Sequence, residues 1–139
     1  MGFVRANITI INSTDLVLAK QGKIPAESVR EFQTESLVDS GAFTLIINDD
    51  IRKQLGLEVL YSKPCRVADG NCRILDVAGP VEVHFANRYT TCEAAVVPNS
   101  DRVLLGAIPL EGMDVLIDPC QQQLVVNPAH PDAGVMLLM

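Results

Sequence analysis

Asp39, Ser40 and Gly41 stand at the end of an apolar run through Leu37 and Val38, and Ala42 follows them. A short buried strand would deliver a carboxylate into a tight turn whose next residues supply a hydroxyl and a conformationally free glycine. A carboxylate presented in this way can hold or move a proton. The chain has 139 residues and one such turn, so a site built on two such carboxylates would take the second from another copy of the chain. Taken alone, Asp39 reads as a turn-former that bonds its own backbone, as Asp after a strand commonly does.

The other residues with chemical potential are scattered. Cys65, Cys72, Cys92 and Cys120 form no CxxC pair, and the two histidines, His84 and His130, are not grouped with them in close-spaced pairs. Zinc sites are usually built from such pairs, so no metal and no cofactor are expected, and the cysteines read as buried free thiols. His84 falls on the polar side of an alternating strand and reads as a solvated surface residue. The sequons at Asn7 and Asn12 read as chance matches.

The elements that must position Asp39 are mostly strands. Residues 6–11 alternate and are rich in Ile and Thr, residues 12–15 read as a turn, and residues 16–19 resume an apolar, strand-like run. Residues 29–34 alternate again and lead through residues 35–38 into the Asp39 turn. Residues 43–47 are nearly all apolar, which predicts a strand buried on both faces. One helix is well marked: Asn48 can cap it, Asp49 and Asp50 suit its first turn, Gly56 can end it, and Ile51 and Leu55 share its inner face.

Beyond the helix, Asp69-Gly70 predicts a two-residue hairpin turn. Centred there, Val67 faces Cys72, Arg66 faces Arg73, and Cys65 and Cys72 become diagonal neighbours on one face. Val81, Val83 and Phe85 point inward along the next strand, Asn87-Arg88 turns the chain, and residues 91–97 return. A second apolar run ends in glycine at Val103, Leu104, Leu105 and Gly106. A short helix then opens at Pro109 and stops at Gly112, and residues 115–118 and 123–127 form a last hairpin. The apolar end of the chain, residues 135–139, is expected to pack on the core or on a partner subunit.

Composition bounds the rest. Hydrophobic residues make up 48% of the chain and charged residues 20%, Trp is absent, and the net charge is −6. The acidic balance without a Lys/Arg cluster argues against nucleic-acid and anionic-membrane partners. No stretch approaches a membrane span, no secretory signal is visible at the N-terminus, and a cytoplasmic, reducing location is the default expectation. The chain reads as one domain, residues 1–139, without repeat or linker.

The order of these pieces resembles that of the retropepsin-like (clan AA) aspartic proteases, and in particular their small prokaryotic members. The likeness rests on Asp39-Ser40-Gly41-Ala42 behind its strand, Ala68-Asp69-Gly70, residues 79–83, and Leu104-Leu105-Gly106 about 65 residues beyond Asp39, and it covers about two-thirds of the chain. It implies a mostly-β acid-protease barrel or sandwich with one or two short helices. It implies a hydrolase: an aspartic-type endopeptidase in which Asp39 of each chain of a homodimer forms a dyad that activates water against a peptide bond. By the same resemblance, Ser40 helps lock the two catalytic loops together, Gly41 and Ala42 complete the loop, and Ala68, Asp69 and Gly70 form a flap over an extended polypeptide substrate. Leu104, Leu105 and Gly106 support the loop. The chain departs from the family where Ala107-Ile108-Pro109 follows Gly106, since retropepsins often carry Arg or Lys and then Asp or Asn there. The alternative within the same fold is a non-catalytic peptide-binding or assembly module.

Overall fold

The structure, a computed structural model, describes residues 3–67 and 69–135. Nine strands carry the fold: β1 (Arg5–Asn12), β2 (Glu31–Val38), β3 (Leu45–Ile47), β4 (Glu58–Arg66), β5 (Cys72–Phe85), β6 (Arg88–Val96), β7 (Val103–Leu105), β8 (Val115–Asp118) and β9 (Gln123–Val126). They pair in the order β4-β5-β6-β3-β7-β2-β1-β9-β8, and β5 also pairs with β1. That extra pairing closes six strands, β1, β5, β6, β3, β7 and β2, into a barrel. The β4–β5 arm extends from one side of it and the β8–β9 hairpin joins through β9.

Alternation fills the barrel. Ala6, Ile8 and Ile10 of β1 and Val81 and Val83 of β5 are buried, and Leu45, Ile46 and Ile47 of β3 are buried on both faces. Phe43 and Thr44 stay outside β3, and Phe43 is exposed because its backbone belongs to the loop after Asp39. Phe85 is half-buried beside the core.

Among the described residues there are three short α-helices, one more than expected: α1 (Ser13–Lys20), α2 (Asp49–Leu55) and α3 (Ala107–Met113). The added one is α1, which occupies the apolar run at residues 16–19 that reads as a strand in sequence. Its cap decides the matter. The Asn12 side chain accepts the Asp15 N–H, Asp15 lies in the first turn and Lys20 in the last. Helix α2 is capped by Asn48 and ended by Gly56 at φ 63°, with Ile51 and Leu55 buried, as its sequence predicts. Helix α3 opens at Ala107 rather than Pro109 and runs through Gly112 to Met113, ending at Asp114. Gly112 is needed inside it because an added Cβ would stand 2.3 Å from Thr90 Oγ1.

Three further expectations are corrected. Arg88 opens β6 instead of turning the chain, and it is buried under the segment after β9. Its Nη2 donates to the His130 carbonyl. His84 is half-buried, with its ring stacked on Tyr89 and Nε2 2.7 Å from Glu82 Oε1. Of the cysteines, only Cys92 is buried, and burial pushes its thiol up to about 11. Cys65 is half-buried, and Cys72 and Cys120 are exposed. Residues 127–135 are tied by hydrogen bonds to Asp114 and Asn87, and Val135 is exposed. The remainder of the terminal apolar run lies outside the described residues.

Candidate functional site

Strand β2 runs parallel to β7, with Ser36 opposite Val103 and Val38 opposite Leu105. The pairing continues one step further, where the Asp39 N–H donates to the Leu105 carbonyl at 3.0 Å. The chain then turns sharply. Asp39 Oδ1 accepts the Gly41 N–H at 2.9 Å and the Asp39 carbonyl accepts the Ala42 N–H at 3.1 Å. Asp39, Ser40 and Gly41 are exposed, and Ala42 is half-buried.

The second glycine-ended run sits directly against this loop. The Ala107 and Ile108 N–H groups, at the start of α3, donate to the carbonyls of Ala42 (2.8 Å) and Phe43 (3.1 Å). Gly106 passes so close that an added Cβ would lie 2.2 Å from the Thr44 carbonyl oxygen. Thr44 is itself anchored, its hydroxyl donating to the Glu93 carbonyl at 2.7 Å. Asp39 is therefore exposed at its side chain, held at its backbone by β7 and its own turn, and carried on a loop that the start of α3 and β6 anchor further on.

The β4–β5 hairpin forms the opposite wall. Its register differs from the expected one by a residue: Arg66 faces Cys72 and Cys65 faces Arg73. The Val67 N–H donates to Asn71 O and the Gly70 N–H to Val67 O, with Gly70 at φ 85°, the positive φ that a glycine supplies at the end of a longer hairpin turn. The shift puts Cys65 and Cys72 on opposite faces of the hairpin. Asp69 Oδ1 accepts the Asn71 N–H at 2.9 Å. That bond, aided by Arg73, holds its carboxyl below the usual range. Ala68 lies outside the described residues.

Between loop and hairpin is a cleft of about 700 Å³ bordered by Asp39, Gly41 and Ala42 below, Asp69 and Arg73 above, and Leu104 at the side. Leu105 and Gly106 are buried beneath the loop and do not reach the cleft. Most of the other lining residues, Arg73, Phe43 and Leu75 among them, were not singled out as site residues from the sequence. Phe43 forms part of the floor, and the Lys63 ammonium stands 4.8 Å from its ring centroid. Leu75, buried on β5, joins the wall. The period-two pattern of β5 carries the signal for Leu75, whereas the meeting of Lys63 with Phe43 has none in sequence. Among the described residues no group of three His, Cys, Asp or Glu gathers as a metal site, and no helix is long and apolar enough to cross a membrane.

A closed six-stranded barrel with a hairpin arched over an Asp-bearing loop is a retropepsin-like fold. The solved retroviral protease-like domain of Ddi1 from Leishmania major has the same fold: its TM-score is 0.55 over 92% of this chain and 90% of that one, at 19% sequence identity. No protein-family model matches the chain, and no curated protein matches its sequence.

Proposed function

We propose that the protein is an aspartic endopeptidase, with Asp39 from each of two chains forming one catalytic dyad. The observation that carries this reading is the setting of Asp39. Its carboxylate is exposed on the floor of a cleft roofed by a glycine-tipped hairpin, while its backbone is held by β7 and the turn.

Two carboxylates brought together near a two-fold axis share one proton, because ionising both is costly. The ionised Asp39 takes a proton from a trapped water, the protonated one donates to the peptide carbonyl, and the water adds to give a gem-diol. The carboxyl that took the water's proton then gives it to the amide nitrogen, the other takes back a hydroxyl proton, and the C–N bond breaks to release amine and acid; no bond forms to the enzyme. Ser40 would lock the paired loops, Gly41 would let them approach, and Asp69 and Gly70 would close over a substrate lying extended in the cleft.

Asp39→Asn tests the reading. The amide oxygen can keep the bond from the Gly41 N–H, so circular dichroism and sedimentation should be unchanged. Cleavage of an unfolded protein at mildly acidic pH should fall about 10²–10⁴-fold. A wild-type dimer that binds extended peptides and cleaves none would instead establish the non-catalytic binding module.

A further inference from the structure

We infer that the cleft selects peptides in which an acidic side chain adjoins an apolar one, with Arg73 and Lys63 on the inner face of the hairpin receiving the acid. The inference rests on the reading of this cleft as a peptide site and adds the class of peptide.

Alternation divides the hairpin's side chains between two faces. The register pairs Lys63 with Leu75 and Cys65 with Arg73. Cys65, Arg73 and Leu75 border the cleft, and Lys63 meets Phe43 on its floor. This face therefore looks inward and carries two cations and no carboxylate. The other face holds Ile74, which is 76% exposed, and Asp76, bonded to Ser62.

At the turn, Asp69 touches Arg73 through one contact of 3.3 Å, with both side chains at least half exposed. Such a pair is weak, and the guanidinium has five donors, so most of its bonding capacity is open to a ligand. Arg66 adds a further positive charge at the rim. Among the described residues the carboxylates bordering the cleft are Asp39 and Asp69.

The chain as a whole carries −6, so this cationic roof runs against the general field and acts only at short range. The remaining lining is mostly apolar, with Phe43, Ile46, Leu75, Val97 and Leu104 beside Ser100. An extended peptide points successive side chains in opposite directions. One residue then faces the cationic roof while its neighbour faces the apolar floor.

The test uses matched peptides in which Glu, Gln or Lys is scanned through each position beside a leucine. Binding to Asp39→Asn is read by fluorescence anisotropy near pH 6, where glutamate is ionised, and cleavage by the wild-type protein is followed in parallel. The Glu peptide should bind at least about tenfold more tightly than the Lys peptide at its best position, and added salt should narrow the gap. Arg73→Glu should reverse the preference, and Arg73→Gln with Lys63→Gln should abolish it. Equal binding of all three peptides, no binding of any, or a preference unchanged by Arg73→Glu overturns the inference. A charge preference in binding with no cleavage by the wild type overturns the protease reading and leaves the inference standing.

Discussion

At Gly106 an added Cβ would stand 2.2 Å from the Thr44 carbonyl oxygen and 2.6 Å from that of Ala42. Both are backbone atoms of the loop that carries Asp39, and neither can rotate away. Gly106→Ala should therefore push the loop off β7 and destabilise the fold by about 1–3 kcal/mol or more, read from urea unfolding. Any proteolytic activity should fall beyond what the lost stability explains. The need for glycine was legible in sequence, because an apolar run ending in Gly announces a close backbone approach. The partner came only through the family resemblance, which sets Gly106 against the Asp39 loop; nothing local marks Ala42 and Thr44, which lie some 60 residues earlier. Arg88 shows the same limit from the other side. Its position beside Asn87 suggested a turn, and only the segment that returns after β9 buries it.

Elements with their signals inside their own span were read correctly, as α2 was from Asn48 and Gly56. Helix α1 was missed because four apolar residues suit either a helix or a strand, and what selects the helix lies partly outside it. Asp15 is 5% exposed and clasps Arg30 from the start of the next strand segment, accepting from Nε at 2.9 Å, from Nη2 at 3.0 Å and from the backbone N–H at 3.0 Å. The hydrogen bonds to the guanidinium lower the Asp15 carboxyl below its ordinary range against the opposing effect of burial. Arg30 in turn lies over Gly56, where an added Cβ would be 1.8 Å from Nη1. The Arg30 side chain is 50% exposed and water takes over its freed donors, so Asp15→Ala should cost about 0.5–1.5 kcal/mol, the net worth of the lost bonds. A double-mutant cycle with Arg30→Ala should return a coupling of similar sign, because the second loss is smaller once the first has occurred. Additive effects would show that the clasp contributes nothing. The hairpin was displaced by a residue for a related reason. Asp-Gly suits a two-residue turn in isolation, and the longer β4–β5 ladder fixes the register instead.

For the whole molecule, alternation and turns pointed to a mostly-β fold, but the β1–β5 pairing that closes the barrel joins segments about 70 residues apart and leaves no local trace. The segment after β9 is bound through Asp114, whose carboxylate accepts from Asn127 Nδ2, His130 Nδ1 and the Val135 N–H at 3.0, 2.7 and 3.0 Å. The Asn127 and Val135 bonds, followed by His130, lower its pKa from 3.8 to about 2. A lowered carboxyl contributes stability above its unfolded value and loses it as pH falls through the folded one. Asp114 should therefore hold this segment through mildly acidic pH and release it only between about pH 4 and pH 2. Asp114→Asn should flatten that part of the acid-unfolding curve, measured by circular dichroism. A fold stable in mild acid suits a dyad that shares a proton, and the dyad itself sets the last prediction. Each chain supplies one Asp39 loop, so a lone chain holds half of a site. Well below the dimer dissociation constant, the dimer concentration varies as the square of the chain concentration, and specific activity should fall about tenfold for each tenfold dilution. Well above it, mixing wild type with an equal amount of Asp39→Asn should lower the activity of the wild-type chains to about half, because random pairing places half of them beside an inactive partner. Specific activity that is constant on dilution, together with activity unaffected by the added variant, would mean that one chain suffices and that a second proton-transfer group lies within it.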